Sequence, residues 1–113
     1  MNDNLFPEDI NILSSEIYKI DIYKVNDDLN IEIYFNIVYP TQKQIKLKFN
    51  RVKEFLLFWN SDNIFYNVES YKLFKINNYV YLSLDPFDES NSISEKDQDY
   101  ILCENMLVVL PPS

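Results

Sequence analysis

Six carboxylates, Asp85, Asp88, Glu89, Glu95, Asp97 and Asp99, crowd one short stretch of this chain, and Lys96 is the only base among them. Three chemistries compete for such a stretch. Carboxylates are hard oxygen ligands suited to calcium, but the spacing matches no EF-hand loop and lacks the glycine of its sharp turn. An anionic contact for a basic protein surface is the second, in which peripheral charges chiefly raise the association rate. The third is a solvated connection between two strands, with Ser94-Glu95-Lys96-Asp97 resembling a capping box at the start of one short helical turn.

Other catalytic repertoires lack their residues. The 113-residue chain has no Gly and no His. Phosphate-binding glycine loops and nucleophile elbows are thereby excluded, since they need a backbone without a Cβ at fixed positions. So is the usual proton shuttle at neutral pH. Cys103 is the only thiol, has no imidazole to activate it, and lies in an apolar segment that favours an inert buried group. Paired carboxylates in a cleft would suit glycoside hydrolysis, but no insertion that would build a cleft is visible. The expectation is a non-enzymatic chain with no catalytic residue, metal or cofactor.

Ala is also missing, while Asn occurs fourteen times and aromatic residues make up 16% of the chain. An A/T-rich genome would impose that bias. Its physical consequence is that turns requiring positive φ must use Asn or Asp. A net charge of −8 disfavours nucleic acid, whose phosphates bind through cations. Lys43, Lys46, Lys48, Arg51 and Lys53 do form a basic stretch, but Ile45, Leu47 and Phe49 alternate with it, as on the solvated face of a strand balanced by acids such as Glu32. The N-terminus has no secretory signal pattern, no apolar run approaches the roughly 20 residues of a membrane span, and a lone Cys fits a reducing compartment. A cytoplasmic protein with no membrane association is expected.

The elements that must position these groups read as strands. In residues 16–24, Tyr18, Ile20 and Ile22 alternate with Ile17, Lys19, Asp21 and Tyr23; after Asn26-Asp27, residues Leu29, Ile31, Ile33, Phe35 and Ile37 share one face. A two-residue turn pairing Val25 with Asp28 sets Ile22 against Ile31, Ile20 against Ile33 and Tyr18 against Phe35. A third segment carries Ile45, Leu47 and Phe49; pairing Ile37 with Ile45 sets Phe35 against Leu47, Ile33 against Phe49 and Tyr34 against Lys48. Residues 50–59 admit two readings. A bulge at Asn50-Arg51 continues the strand, whereas Val52, Phe55, Leu56 and Trp59 also have helical spacing; aromatic content favours the strand. Turns follow at residues 60–63 and at Asn77-Asn78. Strands are expected over residues 64–75, kinked or split near Glu69-Ser70, then over 79–84 and 100–110, with Pro111-Pro112 stopping the pairing. The whole reads as one all-β domain over residues 1–113: an antiparallel meander sheet forming a sandwich or a partly closed barrel, with at most one short helical turn.

Tyr71-Lys72-Leu73-Phe74-Lys75, Tyr79-Val80-Tyr81-Leu82-Ser83-Leu84-Asp85-Pro86 and Ser94-Glu95-Lys96-Asp97-Gln98-Asp99-Tyr100-Ile101 resemble the C-terminal half of small β-rich bacterial proteins. Leu47-Lys48-Phe49-Asn50-Arg51-Val52 is similar to a strand of the same proteins. Some of these families resemble immunity proteins of polymorphic-toxin systems. The resemblance implies fold and genomic setting more than mechanism. The leading expectation is therefore a protein-binding module that blocks a basic toxin domain by stoichiometric contact. Its expected contacts are Tyr34 and Trp59 as aromatic anchors, with Asp85, Asp88, Glu89, Glu95, Asp97 and Asp99. The alternatives are a domain that self-associates into a homo-oligomer and a β-domain that binds calcium or a small ligand.

Overall fold

The structure is a computed structural model and describes residues 11–38, 42–58 and 67–110. Each alternating segment becomes a strand: β1 (Glu16–Val25), β2 (Asp28–Ile37), β3 (Lys43–Leu56), β4 (Lys72–Ile76), β5 (Tyr79–Asp85) and β6 (Gln98–Val109). They form one antiparallel sheet in the order β1-β2-β3-β6-β5-β4. The fold is all-β, as expected. Of the two shapes considered for it, a sandwich would need a second sheet and a barrel a closed one. The described strands form a single open sheet with β1 and β4 at its edges.

Period-two alternation sends one set of side chains to a common face. Ile31, Ile33, Phe35 and Ile37 of β2, Ile45, Leu47 and Phe49 of β3, Val80, Leu82 and Leu84 of β5, and Ile101 and Cys103 of β6 are all buried there. Burying each large member fully contributes about 1.5–3 kcal/mol. Ile12, Ile17 and Val68 complete the core. They sit where Ser14 N donates to Val68 O (2.7 Å), Val68 N donates to Ser15 O (2.9 Å) and an isolated bridge joins Glu16 to Asn67. Backbone pairing thus covers the start of the β1 edge.

The first hairpin has the expected register from Val25↔Asp28 to Ile20↔Ile33. It departs at Tyr18. A bulge between Ile17 and Lys19 takes Tyr18 out of the ladder, so Ile17 stands opposite Phe35. The extra residue turns Ile17 inward and leaves Tyr18 exposed. In the second hairpin the expected register is wrong by two residues: Phe35 pairs with Ile45, Ile33 with Leu47, Ile31 with Phe49 and Tyr34 with Lys46. A two-residue slip keeps every side chain on its face, so face matching alone cannot detect it. The observed register adds the Ile37↔Lys43 and Asn36↔Gln44 pairs.

Beyond Asn50 the strand reading holds and the helical one does not. β3 runs on to Leu56, but its bulge lies between Val52 and Glu54, where the pairing with β6 shifts, and not at the expected Asn50-Arg51; Arg51 takes φ 54° with the pairing in step on either side of it. Of the strand expected over residues 64–75, residues 64–66 lie outside the described ones; Asn67 makes only an isolated bridge, Glu69 and Ser70 are outside any strand, and β4 begins at Lys72. Asn26 (φ 58°), Asn77 (48°) and Asn78 (68°) turn the hairpins where glycine would otherwise be favoured. Trp59, the turn at residues 60–63 and Pro111-Pro112 lie outside the described residues.

Candidate binding site

The long connection from β5 to β6, residues 86–97, folds over the outer face of the sheet, the face opposite the core. Lys72 of β4 and Tyr81 of β5 point to that face because their neighbours Leu73 and Leu82 pack into the core. The loop buries both; Lys72 is 3% exposed and Tyr81 1%. A buried ammonium needs acceptors for its protons. Lys72 Nζ finds them in Asp97 Oδ1 (2.9 Å) and Oδ2 (3.1 Å), the carbonyl of Ser92 (2.9 Å) and Asp88 Oδ1 (2.9 Å).

Asp97 is the other half of this clasp. Its Oδ1 also accepts from the backbone N–H of Phe87 (2.9 Å), and its Oδ2 from Ser94 N–H (2.9 Å) and the Tyr81 hydroxyl (2.8 Å). Burial by itself raises the Asp97 carboxyl's pKa. The backbone donors of Ser94 and Phe87, then Lys72 and Tyr81, outweigh that and hold it at about 2. For Lys72, burial favours the neutral amine, but hydrogen bonds to Asp88 and Asp97 win and leave its pKa raised. The Tyr81 phenol is raised by burial and by the Asp97 carboxylate.

The expected capping-box-like turn is present in part. Ser94 N–H bonds the Asp97 carboxylate, Asp97 N–H donates to Ser94 O (3.1 Å), and Ser94 Oγ accepts from Lys96 N–H (3.1 Å). The turn closes without continuing into a helix. Among the described residues no helix is long and apolar enough to cross a membrane.

The six acids of the cluster therefore divide. Asp97 is buried in the clasp. Asp99, 8% exposed and at φ 49°, accepts from Phe58 N–H (2.7 Å) and ties the end of β3 to the start of β6. Asp88 is half exposed, turned by Ser90 N–H (3.1 Å) and Oγ (2.7 Å) while it pairs with Lys72. Those hydrogen bonds, that of Lys72 first, hold its carboxyl below the usual range. Asp85, Glu89 and Glu95 are exposed, and exposed Phe87 and Ile93 stand on the same loop. Among the described residues no group of acids or Cys is placed to hold a metal ion.

Tyr34 sits elsewhere, on the outer face of β2. Its hydroxyl lies 3.0 Å from Glu32 Oε1 and 3.3 Å from Asp21 Oδ2, and Tyr23 also donates to Glu32. Lys46 pairs with Glu32 at 3.1 Å, and Lys19 and Lys46 flank the Tyr34 ring at 4.9 and 5.7 Å. Burial and the Glu32 carboxylate push the Tyr34 phenol up to about 12. Within the basic stretch, Lys46 pairs with Glu32, Arg51 with Asp28 (3.8 Å) and Glu104 (3.5 Å), and Lys53 lies above the Tyr79 ring.

Beside the clasp, Tyr81 and Tyr100 stack with ring centroids 5.9 Å apart and planes 28° from parallel; the Tyr100 hydroxyl donates to Glu54 of β3. Sequence reasoning did not select Lys72, Tyr81, Glu54 or Tyr100. They are outer-face residues of ordinary strands, and only the loop above them distinguishes them. Comparison with protein-family models, with curated proteins and with solved structures yields no match.

Proposed function

We propose that this chain is a non-enzymatic protein-binding module that neutralises a basic toxin domain by stoichiometric contact through the loop of residues 86–97. The observation that carries the reading is the Lys72–Asp97 clasp, which anchors the loop through buried ion pairs and backbone hydrogen bonds. A loop ordered in advance loses less conformational entropy on association. It displays Phe87 and Ile93, 59% and 46% exposed, beside Asp85, Asp88, Glu89 and Glu95. Apolar anchors rimmed by charge form the usual energetic centre of an interface. The net charge of −8 favours encounter with a basic partner.

The experiment is affinity capture from the native host at low and moderate salt, with wild type beside Phe87→Ala/Ile93→Ala. A basic partner at one-to-one stoichiometry, lost with the double variant, supports the reading. Absence of any stoichiometric partner for wild type sinks it. The self-associating alternative draws on exposed Leu107, Val109 and Leu110 near the end of β6. Light scattering separates the two, since a mass independent of concentration counts against an oligomer.

A further inference from the structure

A pocket of about 350 Å³ opens where the loop overhangs the outer face of β3, β5 and β6. Tyr100 lines it, backed by the buried Tyr81 against which it stacks, Leu102 and Ile93 add apolar wall, and two carboxylates, Glu54 and Glu95, stand at it. Its lining among the described residues includes no Lys or Arg. Glu54 comes from the sheet and is held by the Tyr100 hydroxyl. Glu95 comes from the loop. The two acids thus reach the pocket from separate elements, one of them already oriented.

We propose that this pocket receives the guanidinium of an arginine side chain on the partner protein. The inference rests on the reading of this chain as a binder of a basic protein, and it names the group recognised. A guanidinium is planar, weakly hydrated and permanently charged; it stacks on aromatic rings while its fork of N–H groups meets carboxylates. The Tyr100 ring and the two acids that line the same pocket offer both kinds of contact. An anionic ligand would meet two uncompensated carboxylates, and a lysine ammonium would use the charges while leaving the planar stacking surface unmatched.

The test is an amide-resolved NMR titration of the full chain with N-acetyl-argininamide, N-acetyl-lysinamide and the neutral isostere N-acetyl-citrullinamide. The arginine probe is expected to give saturable shifts centred on Ser94, Glu95, Tyr100 and Leu102, with at least about tenfold weaker binding for citrulline and for Glu54→Gln/Glu95→Gln, the loss expected for one charge-assisted hydrogen bond. Both acids are exposed, and the single Glu95→Gln variant on the loop serves if the double variant loses its native spectrum. Equal affinity for citrulline, unchanged affinity in the variants, or unsaturable shifts spread over all exposed acids would each overturn the pocket. A second arm separates this from the parent reading. If a one-to-one partner binds wild type and Glu54→Gln/Glu95→Gln equally well, the pocket assignment falls and the binding-module reading stands. If the arginine probe saturates the pocket but no partner is captured, guanidinium recognition stands and its assignment to a partner protein falls.

Discussion

At the scale of single residues, the clasp encloses a full ion pair, Lys72 with Asp97. The side chains of Lys72 and Asp97 are 1% and 0% exposed, and Asp97 depends on Lys72 for neutralisation, whereas Lys72 also pairs with Asp88. Removing one partner of such a pair leaves a bare buried charge, a loss of about 3–5 kcal/mol. Lys72→Met is therefore expected to lower unfolding stability by that amount in urea titrations, and to loosen residues 86–97. A loss below about 1 kcal/mol would show that water reaches the clasp. Asp97 also links stability to acid. Its folded pKa of about 2 lies below the usual value near 3.9, so its contribution of about 2 kcal/mol is complete above pH 4 and is lost as pH falls towards 2. Lys72 has the opposite sign: its raised pKa gives stability that is complete below its ordinary value and lost as pH rises through the folded one. The stability of Asp97→Asn is expected to vary less with pH than wild type between pH 4 and 2, read from urea midpoints. Parallel wild-type and variant curves over that interval would remove Asp97 as the linked group.

At the scale of elements, the strands were legible because their alternation is a local property. Ile31, Ile33, Phe35 and Ile37 point one way whatever their neighbours do, and all four are core residues. Register between β2 and β3 was not legible, since a slip of two residues preserves every face. The bulge that ejects Tyr18 left one trace in sequence, the apolar Ile17 on the face otherwise taken by Lys19, Asp21 and Tyr23. The clasp was least legible: Lys72 becomes a buried residue only because a loop more than ten positions later folds over it. Arg51 marks a local rule broken in β3. It holds φ at 54°, with its N–H bonded to Asn30 Oδ1 at 3.0 Å, and the left-handed region costs a residue with a Cβ about 1–2 kcal/mol. Its ion pairs with Asp28 and Glu104 are exposed and contribute little. Arg51→Gly relieves the conformation but loosens the unfolded chain by about 0.4–1 kcal/mol. A net gain of about 0.5–1 kcal/mol is expected in the urea midpoint corrected for slope; a loss would mean that the two ion pairs outweigh the strain at Arg51.

At the scale of the whole molecule, the sheet order sets what must form together. β1-β2-β3 is a meander and β4-β5 a hairpin, and β6, the last strand in sequence, joins them by pairing with both β3 and β5. Among the described residues the two units share no ladder without β6, so the central three strands should open as one unit. Cys103 reports on that unit. It sits in β6 between Val52 of β3 and Val80 of β5, fully buried. Burial pushes its thiol up to about 12, so the native thiolate population at neutral pH is negligible. Labelling then requires opening of the centre of the sheet, because exposing Cys103 breaks ladders on both sides. In a regime where closing outpaces labelling, the free energy from thiol labelling should equal the global unfolding free energy from urea. Wild type and Arg51→Gly should shift together in both measurements. A labelling free energy well below the global value would show that β6 detaches while the two units it joins remain folded, and the sheet would then be two cooperative units stitched by a late strand.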